Sequence, residues 1–235
     1  MSYCEENRFQ PKLICNKGNM LLTEIPNISY DTKKNYNLLF TIPIPIPIPI
    51  PNPNPNPNPN PNPNIDNTKT IVSSIIGFEI YDLLEQQNKE LIEKIIILDK
   101  TENEATICIL ITHIAKEIGI KQKYMLFRST KILNKFNNSV TFYNKDLKLI
   151  CEELKQDYLT QLNLINTNYE PLIYNYGKTQ IHVHEDEHKL INVKFNIDFQ
   201  VIIDDDLPLY MENLVGLMFK KMFYNLKEYV VNNNN

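Results

Sequence analysis

The chain has 235 residues, a formal net charge of −4, 43% hydrophobic and 10% aromatic residues, and only five glycines. That apolar fraction suffices for a core, so wholesale disorder is excluded, and so few glycines leave no phosphate-cradling loop. No apolar run approaches the ~18–20 residues of a membrane helix, and of the 24 basic residues only Arg8 and Arg128 are arginine, which argues against a nucleic-acid partner.

Glu5 and Glu6 stand where a secretory leader would place basic residues, so the expected location is cytoplasm or nucleus. Cys4, Cys15, Cys108 and Cys151 are far apart, with no C-x-x-C pair. Cys108 lies in an apolar run and Cys151 in a helical stripe, so both read as small buried hydrophobes.

Residues 12–15 and 20–25 form apolar-rich runs around Asn16-Lys17-Gly18-Asn19, which predicts a hairpin, and residues 36–42 predict a third strand. Residues 1–41 are therefore expected to be N-terminal strands of the main domain, too few to bury a core alone. Eleven of the 15 prolines then alternate, first with Ile and then with Asn, across residues 42–64. Alternate prolines remove every second amide hydrogen, so this low-complexity insertion is expected to be neither helix nor central strand. Prolines fall only at odd positions, so no P-x-x-P motif for an SH3 domain arises.

The main domain is expected over 65–231, with a disordered Asn tail at 232–235. Apolar spacing predicts a helix over 68–87, weakened by Gly77. β-Branched runs at 94–99 and 105–112 predict a hairpin, followed by a short helix near 112–118 and strands at 124–128 and 140–143. Leu147, Ile150, Cys151, Leu154, Tyr158, Leu162 and Ile165 mark one face of a helix over 145–166. Ile191, Val193, Phe195, Ile197, Phe199, Val201 and Ile203 occupy consecutive odd positions with polar residues mostly between them, the pattern of a half-buried strand paired with residues 179–184. Asp206 and Pro208 suit the start of a closing helix over 207–231. Hairpins alternating with helices predict an α+β fold: a mostly antiparallel sheet with helices packed on one face.

Candidate chemistry is sparse. His182 and His184 share a strand face, with Glu187 and His188 close behind, the only metal-like grouping in the sequence. The spacing is similar to the first cupin motif, but Gly177 is one residue too close, Glu187 one too early and the closing glycine absent, so no cupin is inferred. No nucleophile elbow, zincin, Walker or dinucleotide motif occurs. An enzyme would need a site assembled from distant residues; no catalytic residue or cofactor is expected. On the last helix Met211, Leu214, Val215, Met218, Phe219, Met222, Phe223, Leu226, Tyr229 and Val230 fill an arc of roughly 180°, wider than one sheet needs. One edge, Phe219, Phe223 and Val230, is read as a surface for another subunit or a second copy, and Tyr169, Tyr174 and Tyr176 as an exposed loop. The resulting expectation is a non-catalytic interaction subunit or adaptor of an intracellular assembly, with a metal-binding protein using His182 and His184 as the alternative.

Overall fold

A half-buried strand needs one apolar and one wet face, and β10 (Leu190–Ile202) supplies both: Val193, Phe195, Ile197, Phe199 and Val201 are buried while the residues between them are more exposed. The computed structural model describes residues 10–26, 33–45, 63–113, 121–165, 167–187, 190–202 and 213–233, with backbone alone at 63–67. β1 (Lys12–Lys17) and β2 (Met20–Ile25) form the expected hairpin. Its two turn residues, Gly18 and Asn19, have φ of 66° and 54°, as a two-residue hairpin turn that follows strand twist requires.

β3 (Lys33–Pro45) pairs antiparallel with β10 from Lys33↔Ile202 to Pro45↔Leu190. The start of the Ile-Pro tract, expected as a low-complexity insertion, is thus an edge strand, a place that excluding helix and central strand had left open. The β2 pairing reaches only Phe40, so Pro43 and Pro45 stand on a sheet edge, where a missing amide hydrogen costs little. Ile42 and Ile44 keep the alternation and are fully buried. The Ile/Asn-Pro repeat from 46 to 62 lies outside the described residues.

The helix expected over 68–87 is two helices, α1 (Pro63–Ile76) and α2 (Ile80–Gln87), broken at Gly77. Pro63 at the first helical position forfeits no hydrogen bond. β4 (Ile92–Lys100), β5 (Glu104–Ile111), β6 (Gln122–Asn134) and β7 (Ser139–Asp146) follow as a meander. β7 absorbs the first residues of the helix expected over 145–166. Asp146 then accepts from the Lys148 amide at 2.8 Å to start a 3₁₀ turn, and α3 runs only from Glu152 to Gln161. The short β8 (Tyr169–Pro171), then β9 (Ile173–Glu185), β10 and α4 (Leu214–Asn232) complete the chain. The expected short helix near 112–118 and the Asp206 cap fall largely or wholly on residues outside those described. Asn232, assigned to a tail, is the last residue of α4.

One sheet runs β1-β2-β3-β10-β9-β7-β6-β5-β4, antiparallel throughout, with β8 added parallel to β6. The α+β class stands, but the helices do not share a face. α1, α2 and α4 pack on the inner face, whose core includes Phe40, Phe127, Phe195 and Phe199. α3 covers the outer face of β5 and β6, with Cys108, Tyr124, Leu126 and Leu159 in a separate cluster. That double cover explains why β5 and β6 read as continuous apolar runs. Cys108 is fully buried as expected; Cys151 is only half-buried, beside the start of α3.

Polar ties fix α4 along its length. Lys220 Nζ and Lys227 Nζ donate at 3.0 Å to the carbonyls of Lys17 and Gly18 in the first hairpin turn. Buried Asn88, after α2, donates to the Met222 carbonyl at 3.2 Å and accepts from Asn225 Nδ2 at 2.9 Å. At its start α4 comes so close to β3 that a Cβ on Gly216 would sit 2.9 Å from the buried Tyr36 ring. Gly216→Val is therefore expected to destabilise the protein by about 1–3 kcal/mol through overpacking. Thermal denaturation checks this against the exposed Leu217→Ala, expected within about 0.5 kcal/mol of wild type.

Candidate ligand cavity

Alternation along the strands sends the odd-numbered residues of β6 inward, Met125, Phe127 and Ser129 in succession. On β7 the even-numbered Phe142 and Asn144 face the same way, and the register sets Ser129 directly opposite Asn144. Phe219, Met222 and Phe223 of α4 roof this patch, and Ile80 and Leu84 of α2 close one side. Between them lies a cavity of about 50 Å³, apolar except where Tyr81, Asn144, Tyr174 and Thr179 meet.

Aromatic contacts define the roof. Phe219 stacks on Phe199 at a centroid distance of 4.5 Å and on Tyr174 at 5.8 Å, with the latter planes 9° apart. Phe223 leans on Phe40 and Phe195 at 5.8 and 6.0 Å, and those two rings stack at 4.5 Å. Such pairs contribute roughly 0.5–1.5 kcal/mol each beyond their buried area.

The polar end is buried and under-satisfied. Ser129 and Asn144 hydrogen-bond the Tyr81 phenol, and Asn144 also the Tyr174 phenol, while the Asn144 Oδ1 atom itself is buried with no hydrogen-bond partner among the described residues. Burial pushes the Tyr81 phenol up to about 12, partly offset by Ser129 and Asn144 beside it. Tyr174 is likewise pushed up by burial, with Asn144 the opposing influence. Asp146, opposite Phe127, is raised by burial against the pull of the Lys148 amide and Lys155.

The residues singled out in the sequence do not build a site together. His182 is half-buried and faces Lys194 on β10 and Ser139 on β7, a cationic and a neutral neighbour. His184 and Glu187 are exposed, and His188 lies outside the described residues. Among the described residues no group of three His, Cys, Asp or Glu side chains gathers as a metal site. Phe219, Phe223 and Val230 are at most 7% exposed and face the chain's own sheet, so they offer no edge to a partner. Tyr174 is core rather than loop, while Tyr176 is exposed. Sequence reasoning missed Ser129 and Asn144 on strands and Tyr81 on α2, since isolated polar residues carry no motif.

No family model and no curated protein matches this sequence. Solved structures do match its shape. Human StAR-related lipid transfer protein 5 superposes with a TM-score of 0.59 at 7% identity, over 96% of this chain and 88% of that one. The lipid transfer and protein localization domain of human StarD13 gives 0.55 at 5% identity, over 96% and 91%. A STAR-related lipid transfer protein from Xanthomonas axonopodis gives 0.52 at 7%, over 94% and 98%. The chain has the fold of these domains. The adaptor reading rested on an apolar helix edge left over for a partner; that edge is consumed by the chain's own sheet, and the three structures above, which share its fold, are named for lipid transfer. The interaction-subunit reading is therefore corrected, and the metal-binding alternative with it. No helix among the described residues is long and apolar enough to cross a membrane.

The buried phenols predict an alkaline limit on stability. Tyr81 and Tyr124 titrate near 12 in the folded protein against an ordinary value of 10. Between those values the unfolded chain has released protons that the native state still holds, so stability falls as pH rises from about 10 towards 12. Phenolate absorbance should show these tyrosines silent until a cooperative unfolding step. All 13 tyrosines titrating near 10 with the fold intact would contradict their burial.

Proposed function

We propose that this chain binds a neutral, mostly apolar ligand carrying one hydroxyl-sized polar group, held between the sheet and α4. The observation that carries this reading is the apolar cavity ending on Asn144, whose buried Oδ1 lacks a partner. An unpartnered buried acceptor costs about 1–3 kcal/mol, which a ligand hydroxyl would recover. No Lys, Arg, Asp or Glu lines the cavity, so a charged headgroup placed there would be desolvated without a counter-charge. The names of the structural neighbours support a lipid as that ligand.

Size sets the mechanism. Ligand cavities usually enclose ~300–1,000 Å³, several times the about 50 Å³ found here. Binding therefore requires Phe219, Met222 and Phe223 to swing out or α4 to lift, making the last helix the lid of the site.

Thermal denaturation and native mass spectrometry with a long-chain alcohol, the matching alkane and phosphatidylcholine test the reading. The alcohol is expected to raise the melting temperature and to be retained as a one-to-one complex, ahead of the other two. Asn144→Leu also takes a hydrogen-bonding neighbour from the buried Tyr81 and Tyr174 phenols, so it should melt somewhat below wild type while staying folded, and should bind alcohol and alkane alike. If wild type does not retain the alcohol, or prefers the zwitterionic phosphatidylcholine, the assignment of this cavity is wrong.

A further inference from the structure

The β6–β7 hairpin ends in an apolar tip. Phe136 is fully exposed, and Ile132 and Leu133 are 52% and 55% exposed. The tip is ordered: the Phe136 amide donates to Asn134 Oδ1 at 3.0 Å, and the Asn138 carbonyl accepts from the Val183 amide at 3.0 Å. Successive strand residues point to opposite sides, so Ile132 and Leu133 flank the hairpin while Phe136 sits in its turn. A flat protein surface would cover one of these sides. A medium that surrounds the tip, as the interface of a bilayer does, buries all three.

Charge permits the same medium. β6 and β7 carry Lys123, Arg128, Lys131 and Lys145, with Lys135 in the turn between them, and not one acidic residue before Asp146, in a chain of net charge −4. Lys123 is paired with Glu170, and Lys131 lies 5.5 Å over the Phe78 ring. Lys135, next to Phe136 in the turn, is exposed, and its long stem can lie along apolar matter with the ammonium at phosphate level. Exposed Glu185 and Glu187 on the neighbouring turn limit long-range attraction, so apolar insertion dominates over charge. Leu133 also walls a groove of about 480 Å³ with Val72, Ile76, Val140, Val183 and Ile191, placing apolar surface directly behind the tip.

We propose that this hairpin tip docks the protein on a phospholipid bilayer, with Phe136, Leu133 and Ile132 inserted at the interface and Lys135 against lipid phosphates. The docking stands apart from ligand binding in the cavity, since it is read on vesicles with no ligand added.

The chain contains no tryptophan, so Phe136→Trp makes a single optical reporter and Leu149→Trp, exposed elsewhere, its control. With vesicles of phosphatidylcholine, alone or mixed with phosphatidylserine, the emission of the Phe136→Trp protein should shift to the blue and be quenched by brominated acyl chains. The control emission should not move. Leu133→Asp/Phe136→Asp should melt like wild type and partition on the order of a hundredfold more weakly in co-sedimentation, while Lys135→Glu weakens binding less, and most with phosphatidylserine present. Unshifted reporter emission over both vesicle types, equal shifts in reporter and control, or a blue shift that appears without vesicles as protein concentration rises would each overturn the proposal, the last in favour of contact between copies.

Discussion

The pairing of β3 with β10 is the constraint on which the rest depends. Thirteen consecutive register pairs join the third strand of the chain to the last. Contacts so distant in sequence carry a large loop-closure cost, offset here by an unbroken ladder and by two apolar rows meeting on one face: Tyr36, Leu38, Phe40, Ile42 and Ile44 beside Phe199, Ile197, Phe195, Val193 and Ile191. Once that ladder forms, the first hairpin and the β4–β9 part of the sheet become one surface, and α4, the next described element after β10, has a single broad apolar face to lie on. The aromatic contacts of Phe219 and Phe223 exist because β3, β9 and β10 are neighbours.

Much of this was legible where the chain repeats a period. β10 was readable nearly residue for residue, because one of its faces is wet and the alternation is clean. β6 and β9 were under-read: Tyr124, Met125, Leu126 and Phe127 are buried on both faces, which erases alternation, and Tyr174 belongs to the core though its neighbours look polar. The Ile-Pro tract was set aside as an insertion under a rule that is sound for central strands. Edge position is a property of the sheet, invisible in the local sequence, and at an edge proline at 43 and 45 leaves Ile42 and Ile44 able to extend the alternation. The overlong helix read at 145–166 merged a strand end, a 3₁₀ turn and a short helix, because Leu147, Leu154, Tyr158 and Leu162, gathered in one outer cluster, happen to fall at helical spacing.

The site was less legible than the fold. The wide apolar arc of α4 was visible, but the number of sheet strands it would meet was not. A helix seated across strands from distant parts of the chain buries more of its circumference than one lying on a single hairpin, so the width that suggested a partner reflects topology. The histidines were conspicuous because they are rare, yet His182 faces Lys194, and a cation beside an imidazole disfavours a metal ion. Ser129 and Asn144 carried no signal at all: only the register of β6 against β7 makes them neighbours.

That neighbourhood is the strongest physical reason to regard the inner face as more than a packed core. Asn144 hydrogen-bonds two buried phenols, yet its own Oδ1 is left without a partner, a desolvation cost that the surrounding apolar packing does not recover. Ser129, Asn144, Tyr81 and Tyr174 cluster at one end of an otherwise apolar chamber, with both phenols raised by burial. The opposite wall is made of phenylalanines and a methionine, side chains that present large faces with few rotatable bonds or, in the case of Met222, adapt their shape readily. An under-satisfied polar end facing a wall that can repack is poorly explained by stability alone. On the proposed reading a guest hydroxyl offsets the cost at Asn144, and opening the chamber costs the ring contacts of Phe219 and Phe223.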